Sequence, residues 1–203
     1  MFDARLRPLI DPPLDRAARV LVRRGVTAIP LTVGGLVVGL AAAAAILAGL
    51  FGLALVLMLA NRLLDGLDGP VARAGGTTSD LGGFLDITLD FVFYAAVPLA
   101  FVLAAPADNA VAGALLIASF YLNGTAFLAF AAVAARRGLE TRAQGRKTIY
   151  YLAGLAEGAE TVVVFALMCL LPAAFAIIAT AFAAVCLVSA ASRIVAAALA
   201  LRR

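Results

Sequence analysis

The sequence contains no histidine and no tryptophan, and its two cysteines, Cys169 and Cys186, stand in separate apolar runs. Structural and catalytic zinc sites are built largely from imidazole and thiolate ligands, so this composition argues against a metal site of that kind. The two cysteines are interpreted as small apolar side chains that fill space among lipid-buried residues.

Charged residues are also scarce, at 14% of the 203 residues against 65% hydrophobic residues, and the mean hydropathy is +1.07. A soluble domain is about half apolar and about a quarter charged, so the composition predicts an integral membrane protein. We expect a single domain over residues 1–203. The net charge of +4 does not indicate a nucleic-acid partner, because the basic residues lie mostly in connections and chain ends, where they set membrane topology.

The apolar residues group into six stretches of membrane-spanning length, at about 30–48, 50–68, 82–104, 109–135, 149–171 and 173–200. Backbone amides cannot remain unpaired in lipid, so each stretch is predicted to be a helix. The sequence therefore predicts an all-α fold with a six-helix membrane bundle over residues 27–203.

Arginine and lysine occur before the first stretch, after the second, after the fourth and after the sixth, and are absent from the three remaining connections. Since basic loops stay on the cytoplasmic side, both termini are predicted to be cytoplasmic. Residues 1–26 precede the bundle, and within them residues 12–24 place apolar side chains on one face and arginines on the other. This pattern favours an interfacial amphipathic helix on anionic lipid, with a solvated basic tail as the alternative.

Four aspartates stand at facing ends of the second and third stretches. Asp65 and Asp68 are spaced i, i+3, whereas Asp86 and Asp90 are spaced i, i+4, so each pair shares one helical face. A loop-like segment, 74–80, joins the two helices, which brings the four carboxylates together. Such a cluster needs a cation, and hard oxygen ligands favour Mg²⁺ or a similar ion.

The alternative is that these acids cap helices or pair with Arg62 and Arg73. Asp80 is interpreted in that way, as the N-cap of the third spanning helix. Small residues occur at Gly69, Ala72 and Gly82, where a bulky polyanion could approach the backbone. The planar fork of Arg73 suits a diphosphate oxygen.

The full pattern is Asp-x-x-Asp-Gly-x-x-Ala-Arg-x8-Gly-x3-Asp-x3-Asp, and it is matched at every position by Asp65, Asp68, Gly69, Ala72, Arg73, Gly82, Asp86 and Asp90. On this motif the chain resembles the CDP-alcohol phosphatidyltransferase family of integral membrane enzymes. The runs at 85–91 and 150–158 are similar to those of a little-characterised bacterial branch. The resemblance covers essentially the whole chain and implies six spans with an N-terminal interfacial helix.

The resemblance also implies the chemistry. A phosphatidyl group would pass from CDP-diacylglycerol to an alcohol, with release of CMP, at the cytoplasmic face of a bacterial inner membrane. Asp65, Asp68 and Asp86 would bind metal, as Mg²⁺ or Mn²⁺ and with two ions expected. Asp90 would be the general base and would also touch a metal. A homodimer is expected, as in the family generally.

Four further residues are candidates for binding substrate. Thr32 holds the threonine place of the family's Pro-Asn-x-x-Thr signature, although its Pro and Asn are absent, and is either a nucleotide contact or an ordinary threonine of the helix start. Arg146 and Lys147 resemble an acceptor-binding segment but also suit a positive-inside loop.

Arg193 lies inside the sixth apolar run, where an arginine normally faces a polar cavity or snorkels to the surface. These basic residues favour a phosphorylated acceptor such as glycerol 3-phosphate or inositol phosphate, with neutral inositol, serine or another lipid headgroup as alternatives. A small ion or solute transporter that uses the carboxylates is the alternative function.

Overall fold

The computed structural model describes residues 2–137 and 158–202. These ranges form seven α-helices and one 3₁₀ turn, Pro172–Ala174, with no β-strand among them, which confirms the all-α class. The helices are α1 (Phe2–Arg23), α2 (Ala28–Leu47), α3 (Phe51–Ala74), α4 (Asp80–Ala104), α5 (Pro106–Arg136), α6 (Gly158–Leu170) and α7 (Phe175–Leu201).

Helices α2 to α5 and α7 coincide with five predicted spans, and α6 covers the later part of the predicted span 149–171. Within the ranges that the structure describes, four helical stretches are long and apolar enough to cross a membrane, namely α2, α4, α5 and Pro172–Leu201. Helix α3 differs because Arg62, Asp65 and Asp68 interrupt its apolar sequence. The count of six spans therefore stays a prediction.

Helix α1 begins earlier than the interfacial segment predicted at residues 12–24. It packs against α3 and α6, with Ala18 fully buried and Arg16 and Arg19 exposed. Leu14 touches the backbone of α3 at Gly66, where an added Cβ would lie 3.4 Å from Leu14 Cδ1. The position of α1 on a membrane surface stays a prediction.

A tight turn reverses the chain between α2 and α3. Gly49 adopts φ +73°, a left-handed conformation that costs glycine little. The Leu50 amide donates to the Ala45 carbonyl at 2.8 Å and the Gly49 amide to the Ile46 carbonyl at 2.9 Å. These two bonds form a Schellman cap that satisfies the last carbonyls of α2, so α3 returns directly along α2.

The most extensive contacts in the described part of the chain are between α2 and α3, between α5 and α7, and between α2 and α4. Aromatic contacts link α4 to the later helices. Phe101 of α4 stacks on Phe175 of α7 with ring centroids 4.6 Å apart, and Phe93 of α4 meets Phe165 of α6 edge-on with centroids 5.9 Å apart. Helix α4 is therefore held between α2 on one side and the α5–α7 pair on the other, which positions the acids at its start.

Close approach of α2 to α3 and α4 depends on Gly39. A Cβ at this position would lie 2.7 Å from Phe93 Cδ2 and 3.0 Å from Asn61 Nδ2. The first distance is shorter than real Cβ contacts and the second is tighter than most of them, so an added side chain would force Phe93 and Asn61 to shift. In a membrane, where helices associate through packing, such small residues allow backbones to approach.

We expect Gly39→Ala to destabilise the fold by about 1–3 kcal/mol, because the added methyl overpacks the junction of three helices. The measurement is thermal unfolding of the purified protein in detergent. Gly34→Ala is the matched control: the same helix receives the same change where nothing lies within 4 Å of the new Cβ. Equal unfolding temperatures for the two variants would contradict the packing argument.

Candidate active site

Three of the four motif acids converge where α3 and α4 meet. Asp65, Asp68 and Asp86 each offer a carboxylate oxygen, and these oxygens all lie within 4.8 Å of one another. Asp68 is 7% exposed, whereas Asp65 and Asp86 are half-buried. The predicted convergence of carboxylates from two helices is present in the structure.

The connection between these helices is short and capped at both ends. Gly76 has φ +64°, and the Thr77 amide donates to the Ala72 carbonyl at 2.9 Å, which terminates α3. Helix α4 then starts with Ser79 as its N-cap, whose Oγ accepts from the Gly82 amide at 3.1 Å. The prediction that Asp80 is the N-cap was wrong. The serine hydroxyl one residue earlier takes that role, and Asp80 lies in the first turn.

Helix α2 contributes a hydroxyl to the group of three carboxylates. Thr32 Oγ1 lies 2.7 Å from Asp68 Oδ2 in a buried hydrogen bond, with the hydroxyl as donor, and 3.2 Å from the Ala28 carbonyl oxygen. Thr32 is the fifth residue of α2 and not its N-cap, which is Thr27. Its hydroxyl therefore orients a carboxylate that the motif analysis assigned to metal binding.

The chemistry of this donor set fits a divalent cation. Three carboxylates gathered within 4.8 Å would repel one another strongly without a positive charge. They supply hard oxygen ligands of the kind that Mg²⁺ and Mn²⁺ prefer, and the donors include neither nitrogen nor sulfur. One carboxylate is also held by a second residue, Thr32, as is common around metal ligands.

Asp90 is placed differently from the other three acids. It lies one turn beyond Asp86 on α4, outside the group of three, and its Oδ1 accepts a hydrogen bond from Arg62 Nη1 at 2.9 Å. The same Arg62 atom lies 3.6 Å from Asp65 Oδ2. Arg62 therefore bridges the expected base and the group of three carboxylates.

Asn61 and Arg62 are functional candidates that the sequence analysis did not assign to the site. Arg62 was considered there only as an ion-pair partner in the alternative interpretation. A signal was present: two polar residues interrupt an apolar helix one turn before Asp65, the spacing at which side chains meet.

The small motif residues lie around the end of α3. A Cβ added at Gly69 would lie 3.2 Å from Arg73 Nη1, and a Cβ added at Gly82 would lie 3.3 Å from Ser79 Oγ. Ala72 is half-buried, and Arg73 is exposed. The guanidinium of Arg73 thus lies over Gly69, next to the acids. Because it is exposed, an anionic ligand can reach it.

Arg193 and Tyr94 both line a cavity of about 130 Å³. Arg193 is 6% exposed, and its guanidinium carbon lies 5.6 Å from the centre of the Phe127 ring. Tyr94 connects this cavity to Arg62, since its hydroxyl is 3.5 Å from Arg62 Nη1. Arg193 is therefore a buried cation that lines a partly open cavity. Arg146 and Lys147 lie outside the residues that the structure describes.

We expect Thr32→Val to weaken Mn²⁺ binding by about 10-fold, because partners that orient a metal ligand typically contribute 10–100-fold to affinity. Valine keeps the shape of threonine and removes the hydrogen bond to Asp68. The measurement is titration of free Mn²⁺ by electron paramagnetic resonance with purified protein.

Thr180→Val provides a matched control for this variant. Thr180 also donates from Oγ1 to the carbonyl four residues earlier, at 2.8 Å, but it is exposed on α7. Its substitution should leave Mn²⁺ affinity unchanged. An equal loss in both variants, or no loss in Thr32→Val, would show that the Thr32 hydroxyl does not support a metal ligand.

Comparison with known proteins gives two sequence relatives. Inner membrane protein YnjF of Escherichia coli is 49% identical over 176 residues, which cover 87% of this chain and 85% of YnjF. Archaetidylinositol phosphate synthase of Pyrococcus horikoshii is 37% identical over 87 residues, 43% of this chain and 46% of that protein. The first relative supports a membrane protein over most of the chain.

Solved structures show the same fold. Mycobacterium tuberculosis phosphatidylinositol phosphate synthase PgsA1, in the crystal structure with CDP-DAG bound, matches with a TM-score of 0.72 at 19% identity, over 91% of this chain and 92% of that chain. A second crystal structure of PgsA1, in complex with manganese and citrate, matches with the same TM-score. At this identity the match establishes the shared architecture.

The family comparison covers the acids and nearly all of the bundle. The model of the CDP-alcohol phosphatidyltransferase family matches residues 26–201. That range contains the complete motif and the three converging carboxylates. This integral membrane chain therefore belongs to the CDP-alcohol phosphatidyltransferase family of enzymes.

Proposed function

We propose that the protein transfers a phosphatidyl group from CDP-diacylglycerol to an alcohol and releases CMP. The observation that carries the proposal is the convergence of Asp65, Asp68 and Asp86, next to Asp90 on the same face of α4. Family membership over residues 26–201 and the CDP-DAG bound in the PgsA1 structure support the same donor.

Asp65, Asp68 and Asp86 would hold the metal, as Mg²⁺ or Mn²⁺, with two ions proposed. The manganese in the PgsA1 structure supports this choice of cation. When bound, divalent ions neutralise charge that develops on the diphosphate. Thr32 orients Asp68. Asp90 would offer its Oδ2 both to these ions and to the acceptor hydroxyl, since Oδ1 pairs with Arg62.

The chain's own residues would carry out the proton transfer. Asp90 takes the proton of the acceptor hydroxyl, and the hydroxyl oxygen then forms a bond to the β-phosphorus. The bond between this phosphorus and the bridging oxygen breaks, and its electron pair leaves with CMP. Positioning a base against a hydroxyl in this way contributes about 10²- to 10⁴-fold to a rate.

The end of α3 would bind the nucleotide diphosphate. Gly69, Ala72 and Gly82 leave space for the diphosphate near the backbone, and the exposed fork of Arg73 would pair with its oxygens. Thr32 donates its hydroxyl proton to Asp68, so a contact with the nucleotide would use the lone pairs of its oxygen.

The acceptor is proposed to be a phosphorylated polyol, such as inositol phosphate or glycerol 3-phosphate. The buried guanidinium of Arg193 faces a cavity that adjoins Tyr94 and thereby the expected base. A cation at that place suits a phosphate on the acceptor, with Arg146 and Lys147 as further contacts. The names of archaetidylinositol phosphate synthase and phosphatidylinositol phosphate synthase PgsA1 support inositol phosphate.

We further propose a homodimer in a bacterial inner membrane, with the site and both termini at the cytoplasmic face, where nucleotides are found. The basic residues that precede α2, together with Arg73 in the last turn of α3, support this orientation. A transporter is not favoured, because the carboxylates lie in the later half of α3 and the first half of α4, toward the same end of the helix pair.

We expect Asp90→Asn to abolish CMP release while CDP-diacylglycerol still binds, because asparagine cannot take the acceptor proton. The measurement is metal-dependent CMP release from CDP-diacylglycerol in the presence of a panel of alcohols, with product masses identifying the acceptor. Asp80→Asn, an exposed acid in the first turn of α4, is the control. Normal turnover by Asp90→Asn would refute its assignment as base. A wild-type protein that releases no CMP with any alcohol would refute the transferase function.

We expect Arg193→Ala and Lys147→Ala to raise the KM for a phosphorylated acceptor by about 10-fold or more, because each removes a charge-assisted hydrogen bond to phosphate. The KM for CDP-diacylglycerol should change little. The measurement is steady-state kinetics with the acceptor that the panel identifies. An unchanged acceptor KM would remove the residue concerned from the acceptor pocket.

A further inference from the structure

Arg62 makes more polar contacts than a single ion pair would. Its Nη1 donates to Asp90 Oδ1 at 2.9 Å, its Nε donates to Asn61 Oδ1 at 2.7 Å, and Nη1 also lies 3.6 Å from Asp65 Oδ2. The side chain is only 14% exposed. A buried arginine with two hydrogen bonds in different directions has little freedom to rotate.

Asn61 anchors this arginine to a third helix. It is 2% exposed, and its Nδ2 donates to the Gly35 carbonyl on α2 at 2.8 Å. Its Oδ1 receives the Arg62 bond. A continuous path of hydrogen bonds therefore runs from the backbone of α2 through Asn61 and Arg62 of α3 to Asp90 of α4.

Aromatic rings fix the remaining face of the guanidinium. The Arg62 guanidinium carbon lies 4.4 Å from the centre of the Phe93 ring and 5.6 Å from that of Tyr94. An arginine can lie over an aromatic ring while its N–H groups donate hydrogen bonds within the plane of the guanidinium. A lysine ammonium cannot combine both contacts. The geometry thus uses the properties of the guanidinium and not its charge alone.

We propose that Arg62, held by Asn61, is a positioning residue that acts through Asp90. By holding Oδ1, Arg62 fixes the rotation of the carboxylate, so that Oδ2 is the oxygen that takes the acceptor proton. The inference rests on the proposed transfer reaction and on Asp90 as its base. Neither Asn61 nor Arg62 belongs to the eight-residue family motif in this chain.

The test is a double-substitution cycle between Arg62→Gln and Asp90→Glu, measured as kcat for CMP release with both substrates saturating. Glutamate keeps a carboxylate as the base but lengthens the side chain by one methylene, so the carboxylate no longer aligns with Arg62. We expect Arg62→Gln to lower kcat about 10- to 100-fold in the wild-type background, because misplacing a reacting group by about 1 Å can cost 10²-fold. In the Asp90→Glu background the same substitution should lower kcat less than about 3-fold, since residues that act as a unit are not additive.

Two further variants test the positioning role, and a third is a matched control. Arg62→Lys keeps the charge and loses the fork, so kcat should fall to a value between those of wild type and Arg62→Gln, with KM for CDP-diacylglycerol unchanged. Asn61→Ala keeps Arg62 but removes its anchor and should lower kcat in the same direction. Arg24→Gln makes the same chemical change as Arg62→Gln at an exposed arginine after α1 and should leave kcat unchanged.

The outcomes distinguish this inference from the function on which it rests. Equal fold-losses from Arg62→Gln in both backgrounds, or kcat for Arg62→Lys within about 2-fold of wild type, would overturn the positioning role. Those results together with an inactive Asp90→Asn would leave the transferase and its base intact. Activity in Asp90→Asn would instead refute the base, and absence of CMP release from the wild type would refute the reaction itself.

Discussion

Four carboxylates near one another in a membrane protein repel one another and resist burial, and the arrangement around them is shaped by that constraint. Two features of the structure relate to this repulsion. Three of the acids form a group with the donor chemistry of a divalent cation site. The fourth, Asp90, pairs with Arg62, which also lies near Asp65. One internal cation thus touches both the expected base and a proposed metal ligand.

The bundle places this arginine by close packing of α2. Gly39 lets α2 approach Asn61 and Phe93 closely, and the Gly35 carbonyl then accepts from Asn61. Three residues before Gly35, toward the start of the helix, Thr32 donates a hydrogen bond to Asp68. Helix α2 carries no acid of the motif, yet it supplies the hydrogen bonds that hold both parts of the site.

Much of the fold could be predicted because lipid leaves few alternatives to helices. Apolar runs of spanning length had to form helices, and the bounds of α2, α4 and α7 follow those runs closely. The N-cap of α4 was misassigned because serine and aspartate at adjacent positions are both good caps. Whether α3 and α6 cross the membrane was harder to predict, since charges interrupt α3 and part of the predicted fifth span lies outside the described ranges.

The motif alone indicated which aspartates belong together, because the i, i+3 and i, i+4 spacings place each pair on one face of a helix. The motif also indicated the protein family, because every position of this long pattern is matched in the chain. Which of the acids gather was decided by tertiary structure: Asp65, Asp68 and Asp86 lie together, and Asp90 pairs with Arg62. That grouping depends on how α2, α3 and α4 pack side by side. Contacts between residues far apart in the chain cannot be predicted from the local spacing of residues in the sequence.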